Sequence, residues 1–155
     1  MNDTAGLLLA IQNGLASNDA LAGWCLEQFG RTPTVQLDFN DHKITRPVET
    51  PLISINKIRN SGALGKHINQ YQLVLEVVVA SNEVDENGRV TTESGHQVRT
   101  VTYQGRLLAE EFRDRVIAVL YGLYLGQLEY GSDSLGYTEH PNYHSPFTIQ
   151  ITQSV

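Results

Sequence analysis

The stretch QYQLVLEVVVA, residues 70–80, decides the fold more than any other part of this sequence. Apolar side chains recur there at every second position, which is the period of a β-strand with one buried face: Tyr71, Leu73, Leu75, Val77 and Val79. The other face mixes polar Gln72 and Glu76 with Val74 and Val78. The stretch therefore predicts a long strand at the centre of a sheet.

Other segments around this strand are either strand-like or helical. Period-two patterns predict strands at 34–39, 52–58, 98–103 and 147–152. The first thirty residues instead predict two short helices, interrupted at Ser17-Asn18-Asp19. Residues 105–125 predict a long amphipathic helix whose apolar stripe comprises Leu108, Phe112, Val116, Val119, Leu120 and Leu123.

These elements predict an α+β fold in a single domain, residues 1–155. In this fold a mainly antiparallel sheet packs against an N-terminal helical segment and one long amphipathic helix. No internal repeat, heptad pattern or linker divides the chain.

Residues 81–97 are the most unusual segment, because they are polar and far longer than a hairpin turn requires. Asn87-Gly88 is a strong local hairpin signal. The simplest interpretation pairs a strand ending near Ala80 with one beginning near Val98, joined by a projecting β-hairpin-like arm. We expect an interface on this arm, with Glu83, Asp85, Glu86, Asn87, Arg89 and Glu93 as candidate residues.

Two further groups are interface candidates. Arg113 and Arg115 lie among the carboxylates of the long helix, a pattern typical of a solvated helix face or of a charged subunit interface. Tyrosines gather in the last third of the chain, around a predicted loop at 126–146. Since tyrosine favours interfaces, Tyr124 and Tyr130 are candidates, with ordinary partial burial as the alternative.

The charge balance and the cysteine count exclude several classes of function. Eleven Lys and Arg against 17 Asp and Glu give a net charge of −6, which disfavours binding nucleic acid by phosphate neutralisation. The single cysteine, Cys25, excludes an intrachain disulfide, and its apolar neighbours predict a small buried hydrophobe. No apolar run is long enough for a membrane span, so we expect a soluble intracellular protein.

Few residues suggest chemistry. The glycines of Ser61-Gly62-Ala63-Leu64-Gly65-Lys66-His67 are too close together for a phosphate-binding loop. His140 and His144 are four residues apart, but the prolines near them disfavour a helix, and both are expected at the surface. Together with His42, Asp38 or Asp41 they could build a metal site across the fold. We therefore assign no catalytic residue, no cofactor and no metal.

The order of elements resembles the tail terminator, or tail completion, proteins of long-tailed bacteriophages. The resemblance rests on TPLISI at 50–55 as a proline followed by a strand, on the long strand at 70–80, and on the arm before VRTVTY at 98–103. It continues with AEEFRDRV at 109–116 as an Ala- and Glu-rich helix and with a final strand.

The resemblance implies a structural protein without catalytic activity. Such proteins form a hexameric ring on the head-proximal end of the tail tube, stop its polymerisation and present a surface to the head–tail connector. DNA passes through the ring without specific binding, and the protein is a virion component assembled in the host cytoplasm. The alternatives are another neck component, a small metal-dependent enzyme using His140 and His144, and a module that binds peptides at a sheet edge.

Overall fold

In the computed structural model, residues 4–37, 49–60, 68–131 and 135–154 are described. Their elements, in chain order, are α1 (Thr4–Ala16), α2 (Asp19–Phe29), β1 (Thr34–Leu37), β2 (Leu52–Asn60), β3 (Ile68–Ala80), β4 (Val84–Thr91), β5 (Gln97–Tyr103), α3 (Gln104–Gly122), β6 (Gln127–Gly131), β7 (Tyr137–Glu139) and β8 (Asn142–Ser154). The predicted α+β class is confirmed. Phe39, the loop at 61–67 and the possible metal partners Asp38, Asp41 and His42 lie outside the described residues.

The main sheet is built on β3 and β8, which pair antiparallel from Ile68 opposite Ser154 to Ala80 opposite Asn142. The strand order is β1-β2-β3-β8-β6, so β3 is central, as predicted. β7 pairs with the beginning of β8. β1 runs parallel to β2, and the other described pairs of this sheet are antiparallel.

The helices cover one face of this sheet, and the alternation of the strands decides which side chains they meet. The predicted inward residues of β3 are all buried in one core with residues of the three helices. Phe112 of α3 lies at the centre, with its ring 5.7 Å from that of Trp24 and 6.3 Å from that of Phe29. Asn18 caps α2 by accepting a hydrogen bond from Leu21 N, and Gly30 ends α2 with φ of 76°.

The predicted pairing of β3 with the strand beginning near Val98 is wrong. β5 pairs instead with β4, and together they form a separate two-stranded sheet, hereafter the arm (residues 84–103). Asn87-Gly88 is not its turn but belongs to a bulge in β4, where the register shifts between Asp85 and Gly88. The chain reverses at 92–96, where Gly95 adopts a φ of 86° and its N–H donates to Thr92 O.

The predicted loop at 126–146 is also wrong in large part. It contains β6, β7 and the first residues of β8, and β8 begins at Asn142 rather than at Phe147. These strands form because β8 offers a long partner, not because their own sequences alternate. Only tertiary pairing reveals them.

Phe112 provides a test of the helix-on-sheet core. We expect Phe112→Ala to lower the free energy of unfolding by about 3–5 kcal/mol, because it removes a fully buried ring and leaves a cavity. Leu107→Ala is the matched control on the same helix, since Leu107 is 56% exposed, and it should cost no more than about 0.5 kcal/mol. Chemical denaturation measures both, and equal losses would contradict this assignment of the core.

Candidate assembly interface

The arm stands apart from the core. Neither of its strands pairs with the main sheet in the described part of the chain, and no arm residue belongs to the core cluster. Its side chains are almost all exposed, including apolar Val90 at 55% and Val98 at 48%. An isolated two-stranded hairpin is only marginally stable in water. Such a surface is typical of a segment that binds a partner.

Backbone hydrogen bonds hold the arm at its base. Ser81 N donates to Pro141 O at 3.1 Å, in the β7–β8 connection. Gln104 N donates to Glu83 O at 3.1 Å, so the chain enters and leaves the arm at neighbouring points. β5 ends at Tyr103 and α3 begins at Gln104, with no residue between them. The arm is therefore a direct extension of α3.

The predicted arm candidates are all exposed, and they are distributed along its length. Glu83 lies at the base, while Glu93 lies in the reversing turn. Asp85 shapes the bulge, because its Oδ1 accepts from the backbone N–H of Asn87 at 3.1 Å. Glu86 contributes its backbone oxygen, which accepts from Arg99 Nε at 3.0 Å.

Two arginines face each other across the arm. Arg89 of β4 lies directly opposite Arg99 of β5, and like charges in that position are destabilising. Arg89 donates to Gly88 O, and within the described ranges neither guanidinium forms a salt bridge. An acidic partner would relieve this repulsion.

Arg113 and Arg115 are bound to their own helix and not to the arm in the described contacts. Arg113 Nη2 lies 2.9 Å from Glu110 Oε2, and Arg115 Nη2 lies 3.1 Å from Glu111 Oε1. The Arg115 guanidinium also covers the Trp24 ring at 4.9 Å. These partners favour the reading of a helix face whose charges are satisfied within one chain.

Tyr124 and Tyr130 lie at the corner where α3 leads into β6. Tyr124 is 91% exposed and has a φ of 53°, a left-handed conformation that is unfavourable for a residue with a Cβ. Tyr130 is 39% exposed, and its ring lies 6.5 Å from that of Phe147. An aromatic ring presented to solvent by a strained backbone is typical of a contact residue.

This strain can be measured. We expect Tyr124→Asn to raise the free energy of unfolding by up to about 1 kcal/mol, because Asn tolerates the left-handed region better and little burial is lost. Tyr121→Asn is the control, since Tyr121 is half-exposed within regular α3 and its replacement should be neutral or destabilising. A loss of stability in thermal or urea unfolding of Tyr124→Asn would show that the ring packs on its own chain.

A buried polar network that the sequence analysis missed crosses the sheet face opposite the helices. The predicted surface position of His144 is wrong: its Nδ1 contacts Glu76 Oε1, and both residues are buried. Tyr137 OH donates to the same carboxylate at 2.8 Å, and its ring stacks on His144 with centroids 4.3 Å apart. A bulge in β2 turns Asn56 toward Glu76, where its Nδ2 donates to Oε2 at 3.1 Å.

The hydrogen bonds of the network favour the ionised form of Glu76. Burial alone would raise the pKa of Glu76, but hydrogen bonds from His144, Tyr137 and Asn56, with the charge of a protonated His144, lower that pKa below its ordinary value of 4.5. Because an ionised carboxylate only accepts, Nδ1 of His144 carries a proton. The one sequence signal was Glu76 itself, a carboxylate between Leu75 and Val77 in a central strand.

Arg106 forms an ion pair along α3 with Glu110, with Nη1 3.0 Å from Oε1. It also connects α3 to the sheet. Its Nη2 donates to Tyr137 O at 2.8 Å and its Nη1 to His144 O at 3.1 Å. Sequence spacing predicts which side chains are neighbours on one helix. It does not predict the contact of Arg106 with strands that lie 31 residues or more away in sequence.

The other candidates for chemistry are not assembled into a site in the described residues. Cys25 is buried in the core, where burial raises the pKa of its thiol to about 12. His140 is exposed, as predicted. The described ranges contain no group of three or more His, Cys, Asp or Glu side chains that could hold a metal ion.

Among the described helices, none is long and apolar enough to cross a membrane.

No model of a known protein family matches this sequence, and no curated protein matches it either.

The Glu76 network predicts a pH-dependent stability. Since the folded pKa of Glu76 is lowered, its stabilisation is fully present above the unfolded pKa of about 4.5 and is lost as the pH falls through the folded value. At pH 7 we expect Glu76→Gln to lower the free energy of unfolding by about 2 kcal/mol, because an amide cannot accept from all three donors. The difference from wild type should shrink below pH about 4.

Glu139→Gln is the matched control, because Glu139 is an exposed carboxylate on the same sheet. Urea unfolding at a series of pH values measures both variants. A constant difference between Glu76→Gln and wild type down to pH about 2 would contradict the assignment of an ionised, hydrogen-bonded Glu76.

Proposed function

We propose that this chain is a structural assembly protein, a tail terminator of a long-tailed phage. It assembles as a ring, six copies in number, on the head-proximal end of the tail tube. The ring stops the addition of tube protein and offers a surface to the head–tail connector. The protein becomes part of the virion neck after assembly in the host cytoplasm, and DNA passes through the central hole.

The arm is the observation that carries this proposal. It places apolar and charged side chains in solvent, it adds nothing to the core of its own chain, and it is held only at its base in the described contacts. A segment of this kind gains stability when it packs against another subunit. An assembly protein requires such a surface for its neighbours.

Two further features support the same function. Tyr124 and Tyr130 are both exposed where α3 leads into β6, and tyrosines are enriched at interfaces. The net charge of −6 suits a ring that DNA must traverse without sticking, since tight phosphate binding requires a basic surface.

Removal of the arm tests the proposal. Residues 84–103 are replaced by a two-residue Gly-Ser linker. This linker is long enough because the flanking residues are already adjacent, as the hydrogen bond from Gln104 N to Glu83 O shows. We expect the shortened chain to unfold cooperatively, because its core is intact, but to remain a monomer. The full chain should form a ring of about 103 kDa, six copies of 17.2 kDa, in light scattering and negative-stain images.

Tail tubes complete the experiment. The full chain should bind one end of a tube and stop the addition of tube protein, while the armless chain should leave growth unchanged. Leu107→Ala, on the exposed side of α3 and outside the arm, is the control for substitution itself, and it should assemble and cap tubes as the full chain does. Rings and capped tubes formed by the armless chain would exclude the arm as the interface. A full chain that binds no tube would refute the proposed function.

A further inference from the structure

The two outer edges of the arm are not equivalent. The edge of β4 is interrupted by the bulge at Asp85 to Gly88 and carries charged side chains, both of which discourage strand pairing. The edge of β5 is regular over its seven residues, QVRTVTY, and is rich in β-branched side chains. Among the described strands β5 pairs only with β4, so its other edge is open. This edge of β5 is therefore the donor edge of the arm, the one that adds to another sheet.

The main sheet also ends in an open edge. β6 (Gln127–Gly131) pairs with β8 on one side, and no described strand lies on the other. Leu128 and Tyr130 point to the helix side, opposite Ile151 and Ile149 of β8. Glu129 therefore points to the opposite side, where it is exposed and makes no salt bridge within the described residues.

The side chains of the two edges are complementary in one register. If β5 and β6 pair antiparallel with Arg99 opposite Glu129, then Val98 lies opposite Tyr130 and Thr100 opposite Leu128. An opposite-charge pair then occupies one face, and an aromatic–β-branched pair occupies the other, which are both favourable cross-strand combinations. Glu129 also supplies a negative charge beside the unfavourable Arg89–Arg99 pair.

We infer that the open edge of β5 adds to the β6 edge of a second copy of this chain, in that register. The strand that pairs with β5 belongs to a second copy of this chain for two reasons. The positive charge of Arg99 is complementary to the negative charge of Glu129, and both residues are on the surface of every copy. Within one subunit, however, β5 and β6 do not pair. Donor and acceptor edges differ, so the contact is heterologous and can close into a ring. This inference rests on the proposed ring-forming function and names the contact that builds it.

A charge exchange tests the pairing. Arg99→Glu and Glu129→Arg should each raise the protein concentration needed for assembly about tenfold, because each places like charges opposite one another. The double variant should restore assembly to within about threefold of wild type. Glu27→Arg, a charge reversal on the exposed face of α2 and outside the arm, should have little effect. Sedimentation over a range of concentrations measures all four variants at low salt.

A cross-link gives a second readout that does not depend on charge. Val98→Cys and Tyr130→Cys are made in separate chains, and the native Cys25 is buried and unreactive. Oxidation should give a disulfide-linked dimer when the two variants are mixed, and much less when either is oxidised alone.

The outcomes separate this inference from the proposed function. A wild-type ring without rescue in the double variant, and without the mixed cross-link, overturns the pairing and leaves the ring in place. A wild-type chain that is monomeric at every concentration also overturns the pairing, while the tail-tube experiment still decides the function. Assembly that depends on β5 but not on Glu129 would show that β5 binds a different surface of the second copy, and it would overturn the inference.

Discussion

The full-length pairing of β3 with β8 is the constraint on which the rest of the structure depends. Thirteen residues of β3 meet their partners on β8 although the two strands are far apart in sequence. β2 attaches to one side of this pair, β6 and β7 attach to the other, and the helices cover its apolar face. Because Ala80 lies opposite Asn142, the chain between them must leave and return at the same end of the sheet. The arm and α3 are both built within that excursion.

The sheet face opposite the helices is stabilised by polar interactions rather than by apolar packing. There the central strand buries a carboxylate, and hydrogen bonds from three neighbouring strands compensate its desolvation. Arg106 joins the backbone of two of these strands to α3, so the polar network and the apolar core are connected at one end of the helix. The hydrogen bonds to Glu76 specify strand register, since a shift of one residue would bury its charge without partners.

The parts of the fold that depend on local pattern were predictable, and those that depend on pairing were not. The alternation at 70–80 identifies the central strand, and the spacing around Phe112 identifies α3, because burial follows the period of the element. Asn87-Gly88 suggests a turn, yet both residues belong to the bulged part of β4, because the pairing with β5 continues on either side of them. β6 and β7 lack a strong alternation and exist because β8 is long enough to pair with both. For the candidate site, exposure of the arm was foreseen, whereas the roles of His144 and Arg106 required knowledge of contacts between distant segments.

The bulge in β4 has a consequence for how many neighbours a subunit can have. With one edge of the arm interrupted and the other regular, a subunit that assembles through strand addition has a single donor edge. Together with the β6 edge as its acceptor, the donor edge makes the subunit correspond to a bifunctional monomer in polymer chemistry, able to extend or to cyclise but not to branch. A second regular edge on the arm would make the same subunit trifunctional, and its product would be a network rather than an object of defined size.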